Sequence, residues 1–210
     1  MTPTARLGDH PLDLLERVSI AGARGATAAL SSLAGKPVHS FFPTVRLIPL
    51  EDVPSIVGNP ETIIIGVIFE IAGDISGCFM VIFPLEEGLG LIHTLTGLEC
   101  GFDTDLNEMA MSAICEAGNI LASSYLSALE QFSGLSVLPS PPAAAVDMAS
   151  AVITTAVLPL HEAGSEILFV DVRFGEGSDE LGGRMVLIPT IESLPRLLAA
   201  VNSRPDQPHG

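Results

Sequence analysis

A carboxylate and an amide lie one helical turn apart at Glu116 and Asn119, within the segment NEMAMSAICEAGNILASSYLSALEQF. Polar residues recur in this segment at steps of three and four, which on a 3.6-residue period places them on one face of a helix. The stripe consists of Ser112, Glu116, Asn119, Ser123, Ser127 and Glu130. The helix therefore presents a carboxylate and an amide on the same side.

The composition of this stripe favours a docking surface over an ordinary solvated face. A solvated helix face usually carries Lys and Glu four residues apart, because such pairs support the helix. Here the neighbours of Glu116 and Asn119 are small, and the stripe contains no Lys. Gly118 lies between them although a glycine inside a helix costs about 1 kcal/mol relative to alanine. It either leaves the two side chains accessible or permits close helix packing.

The sequence predicts two long helices, of which the second positions this stripe. The first covers Leu12 to Leu33 and is rich in alanine, and the second covers Leu106 to Phe132. Asp105 followed by Glu108 resembles a capping box at the start of the second helix. Gly134 is placed to end it.

An internal repeat organises the rest of the chain. The segment Met80 to Pro84 (MVIFP) resembles Met185 to Pro189 (MVLIP) at an offset of 105 residues (185 − 80 = 105). Each copy follows a strand, an acidic glycine-bearing turn and a second strand, and each precedes a short helix. The further pairs are Val38–Leu50 with Leu135–Val157 and Ile63–Glu70 with Glu166–Arg173, both as strands, and Glu86–Thr96 with Ile191–Val201 as helices.

This order predicts an internally duplicated α+β fold with pseudo-two-fold symmetry. Short connections such as Asp74 to Gly77 favour antiparallel neighbours over parallel crossovers. We expect one domain over residues 1–210, with halves of about 11–100 and 101–202 that bury their apolar faces against each other. The polar, proline-rich tails 1–10 and 203–210 are expected to fray.

Charge and hydropathy exclude several classes of function. The 210 residues are 48% hydrophobic, which is ample for a core, and 9 Lys and Arg against 25 Asp and Glu give a net charge of −16. Phosphate backbones and anionic membrane surfaces repel such a chain, so we expect neither a nucleic-acid partner nor membrane association. The most apolar run, Ile63 to Phe69, is too short to span a bilayer. Because the first residues contain no apolar segment, we expect no secretion signal.

Cysteine and histidine usage favours a reducing cytoplasm and no resident metal. The three cysteines, Cys78, Cys100 and Cys115, are an odd number without a close pair, so a disulfide framework is not expected. The five histidines are scattered singly and no metal-ligand spacing occurs. The chain also lacks the glycine-serine elbow and the phosphate loop of common enzyme classes.

The stripe resembles the signature of a known family, the CheC-type chemotaxis phosphatases (the CheC/CheX/FliY family). Ser112, Glu116, Asn119 and Pro142 follow that signature at every spacing, and the surrounding sequence is most similar to the CheC branch. The length and the internal duplication also resemble CheC, while CheX is shorter with one motif and FliY usually adds a flagellar-switch domain. The resemblance covers nearly the whole chain.

The resemblance implies an activity, namely hydrolysis of the aspartyl phosphate of the response regulator CheY. Asn119 would place the attacking water, and Glu116 would pair with the active-site lysine of the receiver. The receiver would supply its own Mg²⁺, so no cofactor is expected on this chain. The alternative is a non-catalytic adaptor that binds and regulates the receptor deamidase CheD; a flagellar-switch component is a third possibility.

The first helix departs from the family pattern, which often carries a second Glu-x-x-Asn there. Glu16 takes the glutamate position and Ser19 stands where asparagine is expected, which predicts a degenerate site. However, Pro43 lies 27 residues after Glu16, whereas Pro142 lies 26 residues after Glu116. A slip of one residue would instead place Arg17 and Ile20 at the two positions, and either register lacks the asparagine.

Overall fold

The computed structural model describes residues 11–40, 43–57, 59–99, 106–160, 166–175 and 182–202. Both halves contain helix, two strands, helix, two strands and helix in that order. The first half has α1 (Pro11–Ala34), β1 (His39–Ser40), β2 (Thr44–Pro49), α2 (Val53–Val57), β3 (Ile63–Gly73), β4 (Gly77–Pro84) and α3 (Leu85–Thr96). The second has α4 (Glu108–Ser133), β5 (Val137–Pro139), β6 (Ala143–Met148), α5 (Ala149–Val157), β7 (Glu166–Gly175), β8 (Gly183–Pro189) and α6 (Leu194–Asn202).

The eight strands form one antiparallel sheet, which confirms the α+β class. The strand order is β1-β7-β8-β4-β3-β5, with β2 also on β7 and β6 also on β3. The outer strands are exchanged between the halves, since β1 and β2 pair with β7, and β5 and β6 pair with β3. The two halves therefore share a continuous sheet. The sequence had led us to expect two separate units that pack against each other, and the exchange of strands joins them in one sheet instead.

Helices cover both faces of this sheet. One hydrophobic cluster joins the sheet to α1, α3, α4 and α6, and it includes Leu15, Phe79, Ile92, Leu121 and Leu197. A second cluster joins the opposite face to α2 and α5 through residues such as Val53, Met80 and Val152. The long helices α1 and α4 contact each other on the first face. The polar stripe of α4 is consequently held on a helix whose other sides are buried.

The repeated segments MVIFP and MVLIP are not equivalent in the structure. Met80 packs in the cluster beneath α2 and α5, whereas Met185 packs in the cluster beneath the long helices. The glycines that begin β4 and β8, Gly77 and Gly183, share a φ of 156° and are 106 residues apart (183 − 77 = 106). The offset of 105 was therefore wrong by one residue, which in a strand turns each side chain to the opposite face.

The segment from Leu135 to Val157 is not a strand throughout. It contains β5 and β6 but ends in the helix α5, Ala149–Val157. Its buried residues Ala149, Val152, Ile153 and Val157 recur at helical spacing. The sequence analysis missed this helical period because the segment is rich in Val, Ile and Thr, which are typical of strands. The corresponding part of the first half, after Pro49, is also helical: a 3₁₀ turn is followed there by α2.

Helix α4 begins two residues later than its sequence signal indicated. Its N-cap is Asn107, whose side-chain oxygen accepts a hydrogen bond from the Ala110 N–H at 2.9 Å. Asp105, the predicted cap, lies outside the described residues. The predicted end is confirmed, because Gly134 has a φ of 73° and donates its N–H to the Glu130 carbonyl.

We expect Asn107→Ala to lower the free energy of unfolding by about 1 kcal/mol, because it leaves an N–H of the first turn without a partner. Urea unfolding followed by circular dichroism measures the change. Ser123→Ala is the matched control, since Ser123 is exposed in the middle of the same helix and alanine is the better helix former. Equal stability of the two variants would contradict the capping role.

Candidate functional site

The outward face of α4 carries the polar stripe that the sequence predicts. Ser112 and Glu116 are exposed, as are Ser123 and Ser127, while Asn119 is partly buried. Within the described part of the chain, neither Glu116 nor Asn119 is engaged in a hydrogen bond or an ion pair. The carboxylate and the amide are therefore available to groups from outside this chain.

Glu130, the last member of the stripe, has a structural role. Its Oε1 accepts a hydrogen bond of 2.7 Å from the backbone N–H of Val137, at the start of β5. In the first half, Ser31 accepts the corresponding bond of 2.8 Å from the N–H of Val38. Both side chains fasten the end of a long helix to the strand that follows it, so Glu130 is not free to meet a partner.

Pro142 lies just before β6, which pairs with β3. It is partly buried, and β6 itself contacts α4. Ser112 is exposed near the start of α4. The structure thus places the four signature residues on α4 and on the neighbouring segment between β5 and β6.

Ser19 does not occupy a position equivalent to Asn119. Only 2% of Ser19 is exposed, and its hydroxyl lies 2.8 Å from the hydroxyl of Tyr125 on α4. The Tyr125 ring in turn packs against α1, since a Cβ on Gly22 would lie 2.8 Å from its Cδ2. Burial raises the pKa of Tyr125 to about 12, against a lowering by the Ser19 hydrogen bond. Ser19 therefore faces the contact between the two long helices.

Equivalent positions of α1 and α4 are 99 residues apart in the sequence, and we call this alignment the register of 99 residues. Gly35 and Gly134, with φ of 66° and 73°, follow the two helices at this spacing, and Pro43 and Pro142 share it (142 − 43 = 99). The buried positions of the two helices also coincide in this register. In α1 they are Leu15, Val18, Ser19, Gly22, Ala23, Ala26, Thr27, Leu30 and Ala34, which align with Ile114, Ala117, Gly118, Leu121, Ala122, Tyr125, Leu126, Leu129 and Ser133.

This register corrects the predicted degenerate site at Glu16 and Ser19. Arg17 takes the position of Glu116, and Ile20 takes the position of Asn119. Arg17 lies 26 residues before Pro43 (43 − 17 = 26), as Glu116 lies 26 residues before Pro142 (142 − 116 = 26), so the extra residue counted from Glu16 disappears. The outward face of α1 therefore carries a guanidinium and an aliphatic side chain where α4 carries a carboxylate and an amide.

Placing an amide at position 19 should not create a second site. In an Asn119→Ala background, we expect Ser19→Asn to restore none of the phosphate release that the family resemblance predicts, because the new side chain enters the contact with Tyr125. Loss of the buried hydrogen bond should also lower the free energy of unfolding by about 1–3 kcal/mol. Phosphate release and urea unfolding measure the two effects.

The comparison variant is Arg17→Glu with Ile20→Asn in the same background, which places the two groups in the register of α4. Activity in the Ser19→Asn variant at the level of the wild type would show that the register is wrong.

The described residues offer no activated thiol. Burial, with a contribution from Glu70, raises the pKa of Cys78 to about 12. Burial also raises the pKa of Cys115. Because the thiolate is the reactive form, neither residue suits nucleophilic catalysis at neutral pH. Cys100 lies outside the described residues.

Metal clusters and membrane-spanning helices are also absent from the described residues. No three His, Cys, Asp or Glu side chains among the described residues are grouped so that they could hold a metal ion. In that part of the chain, no helix combines the length and the apolar character needed to cross a membrane.

Comparison with known proteins finds a similar sequence of known name and several solved structures of similar fold. The chain is 29% identical over 200 residues to the protein named CheY-P phosphatase CheC of Bacillus subtilis (strain 168), covering 93% of this chain and 95% of that one. The structure of Thermotoga maritima FliY superposes with a TM-score of 0.73 at 17% identity, over 95% of this chain and all (100%) of that chain.

A second similar structure is the CheX-CheY-BeF3-Mg²⁺ complex of Borrelia burgdorferi. Its TM-score is 0.51 at 19% identity, and the match covers 85% of this chain and 97% of that chain. At this identity the likeness concerns the α+β fold alone.

The CheC-like family itself matches residues 109–145, the span that contains Ser112, Glu116, Asn119 and Pro142. Over this span the chain is similar to the CheC-like family, and over most of its length it is similar to the Bacillus subtilis protein.

Proposed function

We propose that this protein is a phosphatase that removes phosphate from the aspartyl phosphate of a CheY-type receiver. The observation that carries the proposal is that Glu116 and Asn119 lie one turn apart on the outward face of α4, without partners among the described residues. Similarity to a protein named CheY-P phosphatase over most of both chains supports the assignment. A complex of CheX with CheY in the same fold indicates the kind of partner.

Asn119 is assigned the role of placing the attacking water. An amide oxygen accepts a hydrogen bond from water while its NH₂ group donates one, so one side chain fixes both the position and the orientation of the water. The water attacks phosphorus opposite the aspartyl oxygen, the bond from phosphorus to that oxygen breaks, and inorganic phosphate and a free aspartate result. Because an acyl phosphate is already reactive, positioning supplies most of what this step needs.

Glu116 is assigned to docking. The receiver carries an active-site lysine and Mg²⁺, so the docked surface of α4 meets positive charge. A carboxylate that pairs with an ammonium group at a partly desolvated interface forms a charge-assisted hydrogen bond. Such a pair would fix the rotation and the height of α4 over the phosphoryl group. Mg²⁺ belongs to the substrate in this mechanism, and this chain supplies only side chains.

The proposal is tested by phosphate release from a phosphorylated cognate CheY, with and without this protein, in the presence of Mg²⁺. We expect release to accelerate in proportion to the concentration of this protein. An unchanged rate would refute the phosphatase assignment, and binding of CheD by the inactive protein would then support the adaptor function. Regulation of CheD otherwise remains a prediction from the family resemblance.

A further inference from the structure

Helix α4 approaches the sheet closely at Gly118, between the two site residues. A Cβ built on Gly118 would lie 2.7 Å from Cγ1 of Val67, 2.9 Å from its Cβ and 3.1 Å from its Cγ2. Carbon atoms in contact normally stay about 3.5–4.0 Å apart. The glycine therefore lets the helix backbone rest directly on β3, which decides between the two explanations that the sequence left open for this residue.

Val67 is held firmly on its own side of this contact. It is completely buried (0% exposed) and belongs to the large hydrophobic cluster. Its strand is hydrogen-bonded on both sides, with Val67 opposite Val81 of β4 and Ala144 of β6. A β-branched side chain also has few rotamers to choose from. A side chain at position 118 would therefore move α4 away from the sheet, since Val67 cannot withdraw.

We propose that Gly118 is a positioning residue that sets the height of Asn119 above the sheet. This inference rests on the proposed function, because the height matters only if Asn119 must meet a water and a phosphorus atom in line. Asn119 follows Gly118 directly and Glu116 precedes it by two residues, so any outward movement at this contact displaces both. A misplacement of about 1 Å can cost on the order of 100-fold in rate.

The first half of the chain supplies an internal comparison. In the register of 99 residues, Gly118 corresponds to Ser19 (118 − 19 = 99). The helix that has Arg17 and Ile20 in place of the glutamate and the asparagine therefore also has a side chain in place of the glycine. This agrees with a glycine that serves the site, because the glycine is absent where the site residues are absent.

The test compares wild type with Gly118→Ala, with Gly25→Ala and with the double variant Gly118→Ala/Val67→Gly. Gly25 is the matched control, because it is a helical glycine whose Cβ would meet only the Ser124 carbonyl oxygen, at 4.0 Å. The double variant removes the valine side chain that the new methyl group would meet. Three quantities are measured: turnover on phosphorylated CheY, the dissociation constant for BeF3-activated CheY, and the NMR resonances of the Asn119 amide groups.

We expect Gly118→Ala to lower turnover by about 10- to 100-fold, while the dissociation constant changes less than about threefold and the Asn119 resonances move. Gly25→Ala should leave all three unchanged, and the double variant should recover most of the turnover. If Gly118→Ala does not fold, the folded double variant decides: turnover near that of wild type supports the inference, and absent turnover overturns it.

Unmoved Asn119 resonances in Gly118→Ala, or turnover equal to that of wild type, would overturn the inference. If the wild type itself is inactive, the phosphatase assignment fails, and the Asn119 resonances alone then show whether Gly118 sets the position of its neighbour.

Discussion

Asn119→Ala should remove essentially all of the stimulated release of phosphate from CheY, a loss of at least about 100-fold. The alanine side chain can neither accept from nor donate to a water molecule, so the nucleophile loses its fixed position while the rest of the docked surface persists. Phosphate release at saturating concentrations of CheY measures the change. Binding of BeF3-activated CheY should stay within about threefold of wild type, since water placement is not the main docking contact.

Ser127→Ala is the matched control for this variant. Ser127 is exposed on the same face of α4, two turns beyond Asn119, and its removal should leave the rate unchanged. The fold should tolerate both substitutions, because alanine favours a helix and neither hydroxyl nor amide is bonded within the described residues. Substantial activity in Asn119→Ala would contradict the assignment of this residue to catalysis.

Glu116→Lys should weaken binding of phosphorylated CheY by about 100-fold, because like charges placed opposite each other at an interface cost several kcal/mol. The change brings an ammonium group toward the lysine and Mg²⁺ of the receiver. Isothermal titration with BeF3-activated CheY measures the affinity. The helix itself should remain folded, since Glu116 is exposed and free of internal bonds in the described structure.

Glu61→Lys provides the same change of charge at another exposed position. Glu61 lies in the turn before β3, six residues from Val67, which is about 20 Å along an extended strand. It should alter affinity only through the net charge of −16, and that effect should vanish at high ionic strength. Normal binding by Glu116→Lys would show that the receiver's cations do not face Glu116.

The sequence was most informative where the spacing of polar residues, or a residue at the end of a helix, is compatible with one structure only. The long helix α4 and its polar stripe follow from spacing, because a 3.6-residue period in a 26-residue segment has no competing structure. Gly134 ended the helix where expected, since glycine adopts positive φ at little cost. The hairpin of β3 and β4 was equally plain from its short glycine-bearing turn.

The alignment of the two halves was the part that the sequence predicted wrongly. In both the strands and the long helices, the predicted alignment differed from the structure by one residue. Local similarity aligned Met80 with Met185 and Glu16 with Glu116, whereas burial in the structure opposes both alignments. Similar letters do not reveal which face a side chain takes, because that depends on pairing with strands distant in sequence. The distances to Pro43 and Pro142 held the correct answer for the helix, since prolines at the strand entry constrain the backbone.

Contacts across the fold were beyond prediction. Nothing in the spacing of α1 indicates that Ser19 meets Tyr125, 106 residues away. Likewise, Gly118 was recognised as unusual inside a helix, but only the position of Val67 explains why a side chain is excluded there. Both depend on how closely two elements approach, which is a property of the packed core.

The exchange of outer strands has a consequence for how the two halves could have diverged. A single half, lacking the strands that complete its sheet, would be stable only as a pair of identical copies that swap β1 and β2 with each other, which is the arrangement of a domain-swapped dimer. Identical copies must carry identical faces. Joining the copies in one polypeptide removes that constraint, so one long helix can keep Glu116 and Asn119 while the other holds Arg17 and Ile20 in the same place. The covalent link thereby allows a protein with two-fold architecture to carry the glutamate and the asparagine on one face only.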